Sequence, residues 1–294
     1  MASLASAERR SRQTTTLVDP AASRGLLDVW RHRYLVRLLV AKELKVRYQG
    51  SFLGLLWTYV KPLIRFVVYF FVFGYVLGLN RSIDNFAVYV FSGLVLVMFF
   101  NEAISSATRS VRGNRALITK IFLPREMFPL VSVIVSTRHF LPQVGVLIVV
   151  AAMYGWRPTW AELGSALLGF TVMFLFLVGL GLLFSTLNVF FKDAEQIVEI
   201  ITMLAFWSAP LFYSWTLVAN ALGYGRLLDI YLANPLALAV TLFHDAFWVP
   251  TVDDPGPIPD LTTPSVISAA IVVVTLVAGQ LVFSRLQGRF ASEL

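Results

Sequence analysis

Arg138 and His139 stand side by side inside a long apolar run, 128–154, with Pro142 and Gln143 one turn further on. An ionisable group within a membrane-length segment is costly, so it is paired, faces water or meets a polar ligand. In one reading Arg138 faces an aqueous cavity and meets phosphate or sugar hydroxyls. In the other it pairs with a carboxylate such as Glu102 or Glu199, or with backbone carbonyls. His139 alone reads as a packing residue. Arg65 lies a turn into another apolar run and can snorkel to the interface. Glu102 and Glu199 sit toward helix ends, within reach of loop arginines.

Much other chemistry is absent. The chain has no cysteine, which excludes disulfides and thiolate chemistry. Its histidines, at 32, 139 and 244, lack metal-ligand spacing. There is no G-x-x-x-x-G-K-[ST], so the chain does not itself hold ATP through a P-loop, and no G-x-S-x-G. No catalytic residue and no metal ligand is assigned. Asp253-Asp254 is an acidic pair that a membrane glycosyltransferase could use with a divalent cation. The first outer loop, 80–85, is however too short to build a catalytic domain.

These residues must be positioned by membrane-spanning helices. Hydrophobic residues make up 57% and charged residues 14% of the 294 positions, well below the quarter or so charged in soluble domains. Mean hydropathy is +0.74 and the isoelectric point about 9.8. The net charge of +7 does not point to nucleic acid, because the basic residues flank apolar spans instead of forming one solvated face; it suits anionic headgroups of membrane lipids.

A helix needs about 20 apolar residues to cross a bilayer, and six segments qualify: 62–79, 86–106, 128–154, 163–187, 197–215 and 264–283. Of 24 Lys and Arg residues, 19 fall on one side of this arrangement, while Arg81, Arg157 and Arg226 fall on the other. That bias puts both termini in the cytoplasm. The expected fold class is an all-α membrane protein. Residues 1–25 read as a disordered cytoplasmic tail and 26–61 as an interfacial or gate region. Within that region Leu27, Trp30, Tyr34, Leu38 and Ala41 form an apolar stripe. Residues 62–287 carry the spans, with a basic inner loop at 107–127, a long outer segment at 216–263 and a cytoplasmic tail at 288–294. The outer segment contains LALAVTLFHDAFWV, too short to span, which reads either as a re-entrant half-helix or as a helix on the outer leaflet.

Aromatics crowd two spans: Trp57, Phe66, Tyr69, Phe70 and Phe73 at the first, Trp207, Phe212 and Tyr213 at the fifth. Composition favours interfacial belts and core packing for such residues; the sharper alternative, which the mid-span aromatics invite, is a path for sugars, whose C–H faces stack on rings.

Four stretches in order carry a resemblance. They are Lys42-Glu43-Leu44-Lys45-Val46-Arg47-Tyr48 with Ser51, Gly54, Trp57 and Pro62; the run LITKIFLPREMFPL at 117–130; Leu187-Asn188-Val189-Phe190-Phe191-Lys192-Asp193 with Pro210; and Asn234-Pro235-Leu236. Together the chain resembles the permease subunits of bacterial ABC-2 type exporters for polysaccharides, the group moving lipid-linked O-antigen, teichoic acid and galactan. Arg138-His139 departs from that pattern, at a place expected to be apolar.

The resemblance implies a homodimer in the cytoplasmic membrane, partnered by two ATP-binding subunits that hold ATP and Mg, with no cofactor on this chain. It implies that a segment near 112–126 couples to the ATPase through Arg112, Arg115, Ile118, Lys120, Ile121, Phe122, Arg125 and Glu126. It implies a lipid-pyrophosphate entrance at Lys45, Arg47 and Lys61, and a glycan path along the two aromatic groups. The alternatives are a permease for a drug or simple lipid, and a glycosyltransferase built on Asp253 or Asp254.

Overall fold

The structure is a computed structural model that describes residues 25–294 apart from 53, 121, 122, 224 and 254–259. The expected tail at residues 1–24, and Ile121, Phe122 and Asp254, lie outside the described residues. Among the described residues there are helices and no strands. Short α1 (Leu26–Arg31) and α2 (Arg33–Tyr48) lead to α3 (Trp57–Val76), which ends in a π-helical stretch, Phe70–Val76. Then come α4 (Phe86–Gly113), α5 (Arg115–Ile118), α6 (Met127–Met153), α7 (Trp160–Phe190) and α8 (Ala194–Ser208). The chain continues as α9 (Trp215–Leu222), α10 (Arg226–Leu232), α11 (Pro235–Phe243) with a π-helical extension His244–Trp248, α12 (Thr262–Leu286) and α13 (Phe290–Glu293).

α3, α4, α6, α7 and α12 are long and apolar enough to cross a membrane, and α10 with α11 makes a sixth candidate bent by 81°. α8 is only 15 residues, ~22 Å at 1.5 Å per residue, shorter than the expected segment 197–215. Its contacts nevertheless run from one end of α4 to the other. Glu195 lies 3.8 Å from Arg109, near the end of α4. At its other end the Tyr89 hydroxyl donates to the carbonyls of Pro210 (3.1 Å) and Tyr213 (2.8 Å). Extended chain follows Ser208, because Pro210 cannot continue the helical ladder.

The bent pair does not add a crossing. Asn85 Nδ2 donates to the Thr251 carbonyl (2.5 Å) and Trp248 Nε1 to the Asp84 carbonyl (2.7 Å), which ties the end of the hairpin to the outer end of α4. Its bend lies deeper, where Asn234 Nδ2 reaches Ser208 Oγ at 3.3 Å. Every residue of α11 is buried, so the outer segment dips into the bundle instead of lying on a leaflet. Irregular backbone is tolerated there because protein surrounds it. Asn234 caps α11 by accepting from the Leu236 N–H at 3.1 Å, with Pro235 in the first turn. Ends tied at Lys42–Asn114 (3.3 Å) and Arg125–Gln287 place both termini of the described chain on the side of α5.

α4 is the axis of the bundle, with 83% of its most apolar window buried. α7 and α12 cross at glycines. A Cβ added to Gly279 would sit 2.3 Å from the Gly179 carbonyl oxygen, an approach only small residues permit.

Two expectations are corrected. The first span begins at Trp57, so Pro62 lies inside α3 instead of opening it; a preceding turn at Gly54–Leu56 starts the rotation. On α2 the residues buried against the bundle are Leu39 and Val40, while Tyr34, Leu38 and Ala41 of the expected stripe face outward. The helix therefore has apolar residues on two sides, one buried against the bundle and one exposed.

Candidate functional site

Four helices bring polar groups together in the half of the bundle nearest α5. α4 supplies Asn101 and Glu102, α6 supplies His139 and Gln143 four residues apart, the end of α2 supplies Arg47, and α3 supplies Lys61 and Arg65. Arg47 Nη1 donates to Glu102 Oε1 and lies 2.7 Å from His139 Nδ1, which is 2.6 Å from the same carboxylate oxygen. Arg47 Nη2 also donates to Ser106 Oγ at 3.4 Å. This knot ties the end of α2 to α4 and α6.

The knot forms one wall of a cavity of about 640 Å³, lined also by Ser51, Trp57, Thr58, Pro62 and Met98. Lys61 Nζ sits over the Trp57 ring, 5.9 Å from its centre, a cation–π contact. Arg65, Met98 and Asn101 are shared with a second cavity of about 360 Å³, lined further out by Tyr69, Phe206 and Trp207 and by Glu199. The two form a continuous polar-to-aromatic groove beside α3.

The expected residues divide accordingly. Arg47 and Lys61 line the larger cavity, whereas Lys45 is exposed elsewhere on α2. Arg138 is exposed on α6, and among the described residues neither Glu102 nor Glu199 pairs with it; its neighbour His139 makes that contact instead. Trp57, Tyr69 and Trp207 line the groove. Phe73 stacks on Phe212 with centres 3.8 Å apart, Phe66 packs on Phe91 at 4.8 Å and Phe70 on Phe86 at 6.3 Å, so these four act as packing. Tyr213 spends its hydroxyl on the Trp207 carbonyl (2.9 Å) and on Tyr231 (3.1 Å). Asn101 and Phe206 escaped the sequence reading, and Arg65, read there as a snorkelling residue, borders both cavities. Asn101 beside Glu102, within a span, is the polar pair that could have revealed the first cavity.

The segment near 112–126 also divides. Arg115 and Lys120 are exposed and Arg112 is half-buried. Ile118 is buried, and Glu126 is fully buried at 0% exposure, accepting from Gln287 Nε2 at 3.3 Å. Arg125 donates to the Gln287 carbonyl and lies 5.9 Å from the Phe290 ring. Burial pulls its guanidinium below the usual arginine range, opposed by the neighbouring Glu126 carboxylate. Ile118 thus packs into the chain's own core, and Arg125 and Glu126 join the loop to the C-terminal turn.

The profile of the ABC-2 type transporter family matches residues 34–248. The chain is 31% identical over 264 residues to an O-antigen export system permease protein RfbA of Klebsiella pneumoniae, covering 89% of this chain and 96% of that one. It is 27% identical over 267 residues to the protein of the same name from Myxococcus xanthus, covering 91% and 98%. Over 216 residues it is 22% identical to the polysialic acid transport protein KpsM of Escherichia coli, covering 72% and 80%. With the family match spanning most of its length, and its bundle built of membrane-length helices, the chain belongs to the ABC-2 type transporter family.

Proposed function

We propose that this chain is the membrane-spanning permease of an exporter of lipid-linked polysaccharide in a bacterial cytoplasmic membrane, working as a homodimer with two separate ATP-hydrolysing subunits. The relatives' names support the substrate class. The single observation that carries the reading is the groove beside α3: cations at the end nearest α5, aromatic rings at the other.

In this reading α5 lies in the cytoplasm, where anionic headgroups and the ATPase are found. The diphosphate of the lipid meets Arg47 and Lys61, since phosphate favours such charge-assisted donors, and Lys45 attracts headgroups outside the cavity. The sugar chain follows Tyr69 and Trp207 outward. α3 leaves Ile64, Val67, Val68, Phe71 and Tyr75 exposed, three to four residues apart along one face, and a second copy facing this stripe closes the groove into a channel. The ATPase subunits bind ATP and Mg and push on the exposed Arg115 and Lys120. Arg125 and Glu126 transmit that push by holding the loop rigid against the C-terminal turn.

Depletion of the chain in its native cell tests the proposal. Lipid-linked glycan is expected to accumulate on the cytoplasmic side. Unchanged glycan at the cell surface, with no such accumulation, overturns it and favours a drug or simple-lipid permease.

A further inference from the structure

The smaller cavity beside α3 is walled by one face from each of three helices. Glu199, Thr202 and Phe206 recur at helical spacing on α8, Arg65 and Tyr69 lie four apart on α3, and α4 closes the floor with mostly apolar side chains. Arg65 lies eight residues past Trp57, ~12 Å along α3, and Glu199 lies one turn, ~6 Å, past Glu195 along α8. A charge at such a place pairs, meets water or meets a polar ligand. Among the described residues neither the Arg65 guanidinium nor the Glu199 carboxylate has a hydrogen bond or an ion pair. Thr202 does not serve the carboxylate, because its hydroxyl donates to the Glu199 backbone carbonyl at 2.8 Å. Both charged residues are exposed and line the cavity, so what enters the cavity meets them.

The change of charge along the groove identifies what enters. The larger cavity sets Arg47, Lys61 and Arg65 against the carboxylate of Glu102, a positive surplus that suits a diphosphate. The smaller cavity sets Arg65 against Glu199, so its wall offers a charged donor and a charged acceptor with no surplus of either sign. Trp207 beside them is 59% exposed, and neither its indole N–H nor the Tyr69 hydroxyl donates to another described residue. Exposed rings next to unpartnered polar heads match a sugar, which has apolar C–H faces to stack and hydroxyls that both donate and accept. At about 360 Å³ the space is that of a small-molecule site.

We propose that the smaller cavity is a subsite for one uncharged sugar unit of the exported glycan, and that Glu199 sets its charge selectivity. Glu199 accepts from sugar hydroxyls through charge-assisted hydrogen bonds, Arg65 donates to others, and the Trp207 ring covers the C–H face. A uronate or other acidic sugar brings a second carboxylate beside Glu199. Like charges in a partly wetted site repel by an amount that corresponds to roughly tenfold in affinity. The inference rests on the export reading above and extends it from the path to the class of sugar that the path admits.

The test uses the full-length chain with its ATPase subunits in nanodiscs and two probes. Both are farnesyl diphosphates carrying a disaccharide, whose outer unit is glucose in one and glucuronate in the other. The unsubstituted protein is expected to bind the neutral probe about tenfold more tightly. Glu199→Gln is expected to erase that ratio by tightening the acidic probe, while the neutral probe changes by less than about threefold; its retained binding shows that the variant is folded. Arg65→Gln is expected to weaken both probes and to widen the ratio, because it removes the cation that offsets Glu199. A purely structural role for the two residues would move the ratio the same way in both variants. Asp193→Asn, exposed at the start of the same helix and outside the cavity, is expected to leave the ratio unchanged. Equal binding of the two probes by the unsubstituted protein, or a ratio that survives Glu199→Gln, overturns the inference. If neither probe binds and depletion still causes lipid-linked glycan to accumulate, the export reading stands and the subsite falls. If the ratio behaves as expected but depletion has no effect on glycan, the subsite stands and the export reading falls.

Discussion

Glu102→Gln keeps the volume of the side chain and removes its charge, so it isolates what the carboxylate does for Arg47 and His139. Glu102 Oε1 accepts from both. A hydrogen bond to a charged group contributes about 1.5–3 kcal/mol when shielded. Here the side chains of Arg47 and Glu102 retain 38% and 30% exposure, so water screens the pair and reduces the loss to about 1–2 kcal/mol. For a chain of this size that corresponds to a fall of about 3–6 °C in unfolding midpoint. The assay is thermal unfolding of the detergent-solubilised protein, read by loss of its size-exclusion peak.

Glu43→Gln is the control. Its pair with Lys42 spans 3.8 Å with side chains 46% and 38% exposed, and its loss is expected to move the midpoint by about 1 °C or less. Arg47→Gln in the Glu102→Gln background is expected to cost less than in the native one, with a coupling of about 1 kcal/mol. Equal midpoints for Glu102→Gln and Glu43→Gln, with no coupling to Arg47, would refute the claim that this knot holds α2 to the bundle.

Gly279→Leu is expected to abolish stable expression, because its Cβ would meet the Gly179 carbonyl oxygen at 2.3 Å and overpacking against backbone cannot relax. Gly164→Ala, in the same helix as Gly179 and with open space around it, is expected to be neutral or stabilising by up to about 1 kcal/mol; both are read from the yield and midpoint of purified protein. Lys120→Glu and Arg115→Glu are expected to lower co-purification of the ATPase subunits without changing the midpoint. Glu126→Gln, which leaves Gln287 Nε2 with a weaker acceptor, is expected to lower the midpoint and leave co-purification intact. Asp260 accepts from the Thr262 N–H at 2.9 Å, and that bond holds its carboxyl below the usual value. Its support for the start of α12 is therefore complete at neutral pH and is lost as pH falls through that lowered value, which hydrogen exchange at residues 262–267 measures.

The helices themselves were legible because length and apolar content identify a membrane-crossing segment without any knowledge of its neighbours. The phase of a helix was not. Arg138 and His139 differ by one position, which is ~100° around a helix, and α6 is apolar on most sides, so no stripe indicates which of the two faces Glu102. The end of α8 was hidden for a related reason: the apolar run continues through Pro210 to Trp215 after the helix has stopped. The stripe expected on α2 fails because the helix has two apolar sides, and sequence cannot tell protein from lipid. Glu126 and Arg125 read as surface charges in a basic loop. Their burial depends on Gln287 and Phe290, more than 160 positions away in the chain, and local pattern carries no trace of that contact. By contrast Arg47 and Lys61, which stand out as cations at the junction of a basic segment with a span, both line the larger cavity.

Because the chain contains no cysteine, single substitutions give unique chemical probes of its orientation. Lys120→Cys and Arg157→Cys, both at exposed positions, can each be treated with a membrane-impermeant maleimide on intact spheroplasts and again after the membrane is opened. Labelling of position 157 on intact cells, and of position 120 only once the membrane is opened, is the predicted result; labelling of position 120 from outside would contradict a cytoplasmic loop driven by ATPase subunits.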